Sequence, residues 1–171
     1  MAEGSTPSPP AKKRHIARNI LLGIVGLFVV IQLVPYGRDH SNPPVTAEPE
    51  WDSAQTRDLA VVACFDCHSN ETAWPWYTNV APMSWLVQRD VDEGRETLNF
   101  SEWDQPQSDE IDEIGNIILE GEMPPLQYTL IHRAASLSDE DTQALVDGLE
   151  ATMKGSPPVL AEMEEPDEDE G

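Results

Sequence analysis

The stretch Cys64-Phe65-Asp66-Cys67-His68 is the most informative part of this chain, because it contains both cysteines among the 171 residues. The spacing C-x-x-C-H is typical of the covalent attachment of a c-type haem. Two thiols on one turn can bond to the two vinyl groups of the porphyrin, and the adjacent imidazole then sits under the iron. We therefore predict one covalent haem c on Cys64 and Cys67, with His68 as the proximal iron ligand.

Three other interpretations of the cysteine pair are weaker. A zinc site usually needs four ligands, and His132 is isolated, while His15 and His40 lie outside the segment expected to fold. A thioredoxin-like redox motif requires a βαβ surround, which the sequence does not indicate. A structural disulfide between these two cysteines would close too short a loop to stabilise the fold much.

The sixth iron ligand is predicted to be Met123, in Gly121-Glu122-Met123-Pro124-Pro125. A thioether is a soft iron ligand that raises the reduction potential, and the two prolines would stiffen the loop that presents it. His132 is the alternative sixth ligand and would give bis-imidazole ligation, whereas Met83 is a poorer candidate. An open sixth position and a purely structural methionine are further alternatives.

An aromatic and proline-rich segment follows the motif. Trp74, Trp76, Tyr77 and Pro82 are predicted to contact the cofactor, because large rings would dry the pocket around the porphyrin. A loop carbonyl near Pro75 or Pro82 is the expected acceptor for the second nitrogen of the proximal imidazole. In a domain this small, the haem would form much of the core.

The N-terminal region predicts a membrane anchor. Residues 1–19 are basic, with Lys12, Lys13, Arg14 and Arg18, and the apolar run that follows to residue 34 has Gln32 as its single polar residue. We predict a cytoplasmic N-terminus, a transmembrane helix over 20–36 and a single-pass protein of the cell membrane with its C-terminal domain on the periplasmic side. A cleaved signal peptide is the alternative, but no small-x-small cleavage site follows directly.

The rest of the chain divides by composition. Residues 37–50 contain three prolines and read as a linker, 51–153 as the haem-binding domain, and 154–171 as a disordered acidic tail. Apolar spacing within 51–153 predicts four helices and no sheet. They run from Ala54 to Cys64, from a Ser84 cap to Leu98, from a Ser108 cap to Gly121, and from a Ser138 capping box onward. The predicted fold class is all-α, a small cytochrome c-like helical domain with long loops, preceded by the transmembrane helix.

Charge limits the set of partners. The chain has 32 acidic and 10 basic residues, a formal net charge of −22. Such a surface repels nucleic acid, so DNA and RNA are excluded as partners. It would attract a basic redox protein, although acidic surfaces often serve only solubility.

Beyond the C-x-x-C-H motif, the chain resembles the bacterial haem-binding domain family related to cytochrome c. The resemblance covers roughly residues 50 to 152. It rests on Cys64-Phe65-Asp66-Cys67-His68-Ser69-Asn70-Glu71-Thr72, Trp74-Pro75-Trp76-Tyr77, Ala81-Pro82, Gly94-Arg95, Asn99-Phe100-Ser101-x-Trp103, Gly121-x-Met123-Pro124-Pro125-x-x-Tyr128-x-x-x-His132 and Leu137-Ser138. The resemblance implies a haem-attaching, mostly helical, extracytoplasmic domain and assigns no reaction.

The function predicted from these features is one-electron transfer by a carrier that is not an enzyme. The sequence contains no Ser/His/Asp set and no phosphate-binding glycine loop. The alternative is a haem-based sensor or gas-binding module with a labile sixth ligand. Peroxidase activity and a purely structural role for the haem are lesser alternatives.

Overall fold

In the computed structural model, residues 11–108 and 113–161 are described, with side chains described from residue 15 onward. This part of the chain contains seven α-helices and one pair of very short strands. Their bounds are α1 Ala11–Ile31, α2 Ala54–Ala63, α3 Phe65–His68, α4 Met83–Thr97, β1 Pro106–Gln107, α5 Ile114–Leu119, α6 Leu126–Ile131, α7 Asp139–Gly155 and β2 Val159–Leu160.

The core forms where α2, α5 and α7 pack around an aromatic cluster. Phe65, Phe100 and Trp103 stack in sequence, with ring centroids 5.6 and 6.0 Å apart. From α7, Leu145 and Leu149 are buried against them, as their i, i+4 spacing requires for one helix face. The described residues are mostly helical, as predicted, but they also contain the β1–β2 pair, which was not predicted. The β1–β2 pair is parallel and only two residues long, too short to produce the alternation that would reveal it in the sequence.

Two helix starts test the capping predictions. The side-chain oxygen of Ser138 accepts from the backbone N–H of Asp141 at 3.1 Å, so the predicted cap of α7 is confirmed. The predicted Ser84 cap of α4 is wrong, because the N-cap is Pro82 and Ser84 lies within the first turn of the helix. Proline is tolerated there because the first helical N–H groups have no intrahelical partner. The predicted start of the helix after Ser108 lies partly in 109–112, outside the described residues.

The segment over 37–50 lies along the domain. The amide of Asn42 donates to the backbone oxygen of Thr72, and Glu48 forms an ion pair with Arg57 at 2.7 Å. The Arg57 guanidinium lowers the pKa of the Glu48 carboxyl. At the other end of the domain, β2 follows α7, and residues 162–171 of the predicted acidic tail lie outside the described residues.

The predicted transmembrane helix over 20–36 is wrong. No helix in the described part of the chain is long and apolar enough to cross a membrane. The helical apolar run extends only from Ile20 to Ile31, about 18 Å at 1.5 Å per residue, whereas a hydrocarbon core is about 30 Å thick. The chain turns after Ile31, so residues to 36 do not lengthen the helix. The predicted single-pass location in the cell membrane and the periplasmic placement depended on this span and are corrected with it.

Candidate haem site

The C-x-x-C-H motif lies on one wall of a cavity. Its first cysteine, Cys64, ends α2, and its backbone (φ −123°, ψ −36°) breaks the helix before the single turn of α3 begins. Cys64, Cys67 and His68 all line a cavity of about 470 Å³. This volume falls within the range of about 300–1,000 Å³ that is usual for cofactor pockets.

The His68 ring is oriented by two backbone carbonyls of the α4 C-terminal turn. Its Nδ1 lies 2.9 Å from the oxygen of Gly94 and 3.1 Å from that of Leu98. Because carbonyl oxygens only accept, Nδ1 must carry the proton, which leaves Nε2 with a free lone pair. Burial lowers the pKa of His68, which favours the neutral ring that a metal ligand requires. The acceptor is therefore supplied by α4 and not by a loop near Pro75 or Pro82.

Close approach of α3 and α4 depends on Gly94. A Cβ at this position would lie 2.7 Å from the backbone oxygen of Cys67 and 3.0 Å from its Cβ. Only glycine therefore lets the carbonyl of residue 94 reach the His68 ring while α4 packs on the turn that carries Cys67.

Both thiols are partly buried and un-ionised at neutral pH. Desolvation raises the pKa of Cys64 to about 12 and that of Cys67 to about 12, with Asp90 and Asp66 adding to the effect at Cys67. An un-ionised thiol is a poor ligand for a free metal ion, which binds the thiolate. Among the described residues no group of three His, Cys, Asp or Glu side chains could hold such an ion.

The rest of the cavity is largely apolar. Ile114, Ile117 and Ile118 of α5 contribute one part of the lining, together with Leu145 of α7. Such surfaces suit a flat apolar macrocycle, because burying them removes hydrocarbon from water. Together with two thiols and a neutral imidazole in the same lining, these residues fit a haem.

Met123 also lines the cavity, on the turn that follows α5. This turn is made by Gly121, whose φ of +76° is the left-handed conformation that ends many helices. The N–H groups of Glu122 and Met123 both reach back to the oxygen of Ile117. The Met123 side chain remains 40 % exposed, so its thioether lies at the edge of the cavity.

Three carboxylates line the cavity, at Asp66, Asp90 and Glu93, and no lysine or arginine does so among the described residues. Burial raises the pKa of Asp90. Asp66 is held in place, since one of its oxygens accepts from the phenol of Tyr128 at 2.7 Å and the other from the N–H of Ala73 at 3.0 Å. Tyr128 itself lines the cavity, and its burial raises the pKa of its phenol.

The aromatic residues predicted as cofactor contacts lie elsewhere. Trp74 stacks on His40 with ring centroids 4.5 Å apart, Trp76 is 78 % exposed, and Pro82 precedes α4. Tyr77 contacts His132 instead, with its phenol oxygen 3.0 Å from Nε2. None of the four predicted contacts is among the described residues that line the cavity.

Fold and site together define a helical protein with a pocket for haem. Comparison with known families gives the same result, because the haem-binding domain family matches residues 26–151. The chain belongs to the haem-binding domain family. No curated protein and no solved structure matches the chain. The predicted family is thus confirmed, and likeness to cytochrome c stays a prediction.

Sequence reasoning missed the residues of α4 and α6 that complete the site. Asp90 and Gly94 come from α4, and Tyr128 from α6. Gly94 and Tyr128 both belong to the pattern that carried the family resemblance, which was the available signal for them. Asp90 had no such signal, since its carboxylate resembles the many solvated ones in so acidic a chain.

Proposed function

We propose that this protein binds one haem covalently through Cys64 and Cys67 and acts as a one-electron carrier without enzymatic activity. The observation that carries the proposal is that both cysteines and His68 line one cavity, with Nδ1 of the His68 ring within hydrogen-bond distance of two backbone carbonyls. When bound, the haem supplies an iron that alternates between ferric and ferrous states. The chain positions the proximal imidazole, excludes water and holds the macrocycle.

Met123 is the proposed sixth ligand. It lines the same cavity as His68, whereas His132 does not, and Nε2 of His132 is engaged by the phenol of Tyr77. A thioether on the iron raises the reduction potential. The carboxylates of Asp66 and Glu93 act in the opposite direction, because nearby negative charge stabilises ferric iron.

Attachment is tested by mass analysis of the full chain produced together with a haem-maturation system. We expect the denatured wild type to carry the mass of one haem, and we expect the Cys64→Ser, Cys67→Ser double variant to release all of its haem to acidic organic solvent. A wild-type chain that carries no added mass after denaturation would contradict covalent attachment.

Electron transfer is tested by a redox titration followed by absorption. One reversible ferric/ferrous transition with a one-electron slope is expected. Met123→Ala should lower the midpoint potential and abolish the long-wavelength sulfur-to-iron charge-transfer band of the ferric form. Met83→Ala is the matched control, because Met83 opens α4 and does not line the cavity. Equal effects of the two substitutions would refute the role of Met123.

The exposure of Met123 favours one second candidate, a haem-based gas-binding module. A ligand presented at the cavity edge by a turn can dissociate and leave the iron open. Carbon monoxide distinguishes the two functions. An electron carrier with a firm sixth ligand binds it slowly or incompletely at neutral pH, whereas rapid and complete binding by the ferrous protein would replace the carrier proposal with the gas-binding one.

A further inference from the structure

A row of aromatic rings connects the cavity to the protein surface. Tyr128 lines the cavity, and its ring lies 4.2 Å from that of His132. The His132 ring is followed by Tyr77 at 6.4 Å, with the phenol oxygen 3.0 Å from Nε2. Tyr77 in turn meets Trp76 edge to face at 6.1 Å. The row ends at an indole that is 78 % exposed.

Exposed leucines lie on α6, the helix that carries Tyr128 and has His132 as its C-cap. Leu126 and Leu130 are 71 % and 65 % exposed and share one helix face at i, i+4 spacing, and Ile131 is also exposed. Ile131 directly precedes His132, whose Nε2 lies 3.0 Å from the phenol oxygen of Tyr77, the residue after Trp76. The opposite side of the same short helix carries Tyr128 and Thr129 into the cavity lining. We name Trp76, Leu126, Leu130 and Ile131 the α6 surface.

We propose that the α6 surface is the docking site for a basic redox protein, which exchanges electrons with the haem site along Trp76, Tyr77, His132 and Tyr128. This inference rests on the proposed electron-carrier function. Exposed large apolar side chains beside a cofactor pocket are typical of recognition surfaces, in which an aromatic anchor contributes most of the binding. The aromatic row keeps each step between the surface and the cavity within 6.4 Å.

Charge selects the partner. The formal net charge is −22, so a second copy of this chain or an anionic surface would be repelled, whereas a basic protein would be drawn in. Glu120 and Glu122 are exposed on the turn that leads into α6 and add local negative charge. Arg133, two residues after the end of α6, carries a positive charge that opposes this local negative charge.

The test uses the haem-loaded full chain and mitochondrial cytochrome c as a small basic probe. Stopped-flow absorption gives the second-order rate of electron exchange, and NMR titration gives the binding constant. We expect Trp76→Ser and Leu130→Ser each to lower the electron-exchange rate and the association constant by about tenfold. Each substitution removes an exposed anchor without changing the core. The matched control is Leu160→Ser, an exposed leucine on β2, which should behave like the wild type. Added salt should slow the wild-type reaction.

A small electron acceptor separates the two proposals. The ferrous wild type, Leu130→Ser and Leu160→Ser should reduce tris(phenanthroline)cobalt(III) at equal rates, because this complex needs no protein docking site and neither leucine belongs to the aromatic row. If the wild type does not reduce it, the proposed function fails. If the complex is reduced normally while Trp76→Ser and Leu130→Ser react with cytochrome c as fast as Leu160→Ser, the docking surface is refuted and the carrier function stands. A wild type that self-associates through these residues would also refute the proposed occupant.

Discussion

Replacing Gly94 with alanine tests how the site is built. The new Cβ would lie 2.7 Å from the backbone oxygen of Cys67, about 0.7 Å inside ordinary van der Waals contact. Because the obstructing atoms are backbone, α4 must move away from α3 as a unit. The same shift would lengthen the 2.9 Å contact between Nδ1 of His68 and the residue 94 carbonyl to about 3.5 Å, beyond useful hydrogen bonding.

The magnitude follows from three contributions. Overpacking costs about 1–3 kcal/mol, and the lost hydrogen bond about 1 kcal/mol. Alanine recovers about 1 kcal/mol of helix propensity, so the net loss for Gly94→Ala is about 2 kcal/mol. For a domain of this size that corresponds to a fall in Tm of about 8 °C. With the imidazole held less firmly, the reduction potential and the absorption spectrum of the haem-loaded protein should change as well.

Thermal unfolding followed by circular dichroism measures the fall in Tm, and a redox titration measures the change in reduction potential. Gly155→Ala is the matched control, since it lies at the end of α7 and an added Cβ there meets no described atom within 4 Å. Its Tm should equal that of the wild type or slightly exceed it. If Gly94→Ala has the same Tm as Gly155→Ala and keeps the wild-type reduction potential, the close approach of α3 and α4 is not what positions His68.

Three further substitutions have defined outcomes. Tyr128→Phe removes the 2.7 Å hydrogen bond to the Asp66 carboxylate and should lower the free energy of unfolding by about 1.5–3 kcal/mol in urea titration, while an unchanged midpoint would show that Asp66 needs no such donor. Ser138→Ala removes the cap of α7 and should cost about 1 kcal/mol in the same assay without altering the haem spectrum; a spectral change would mean that α7 governs the site directly. Gly148→Ala places a Cβ against the Thr56 side chain between α2 and α7 and should lower Tm, and no change would indicate that Thr56 reorients freely.

The local sequence determined the chemistry of the site. The motif from Cys64 to His68 spans only five residues, so one turn of backbone brings the two thiols and the imidazole together whatever the rest of the chain does. The Ser138 cap was predictable for the same reason, because it involves atoms only three residues apart. Each of these predictions depended on short-range geometry that sequence spacing specifies.

Only the tertiary structure decided which distant residues complete the pocket. The carbonyls that orient His68 lie 26 and 30 residues away, and Tyr128 reaches Asp66 across 62 residues. Trp76 and Tyr77 looked like pocket residues because they are large and apolar and near the motif, yet the chain path between the motif and α4 carries them outward. The amino-acid type makes a ring hydrophobic. Whether that ring faces the cavity or the surface depends on how helices that are distant in sequence pack against each other. The apolar N-terminal run shows the same limit, since its composition did not reveal that the helix ends at Ile31.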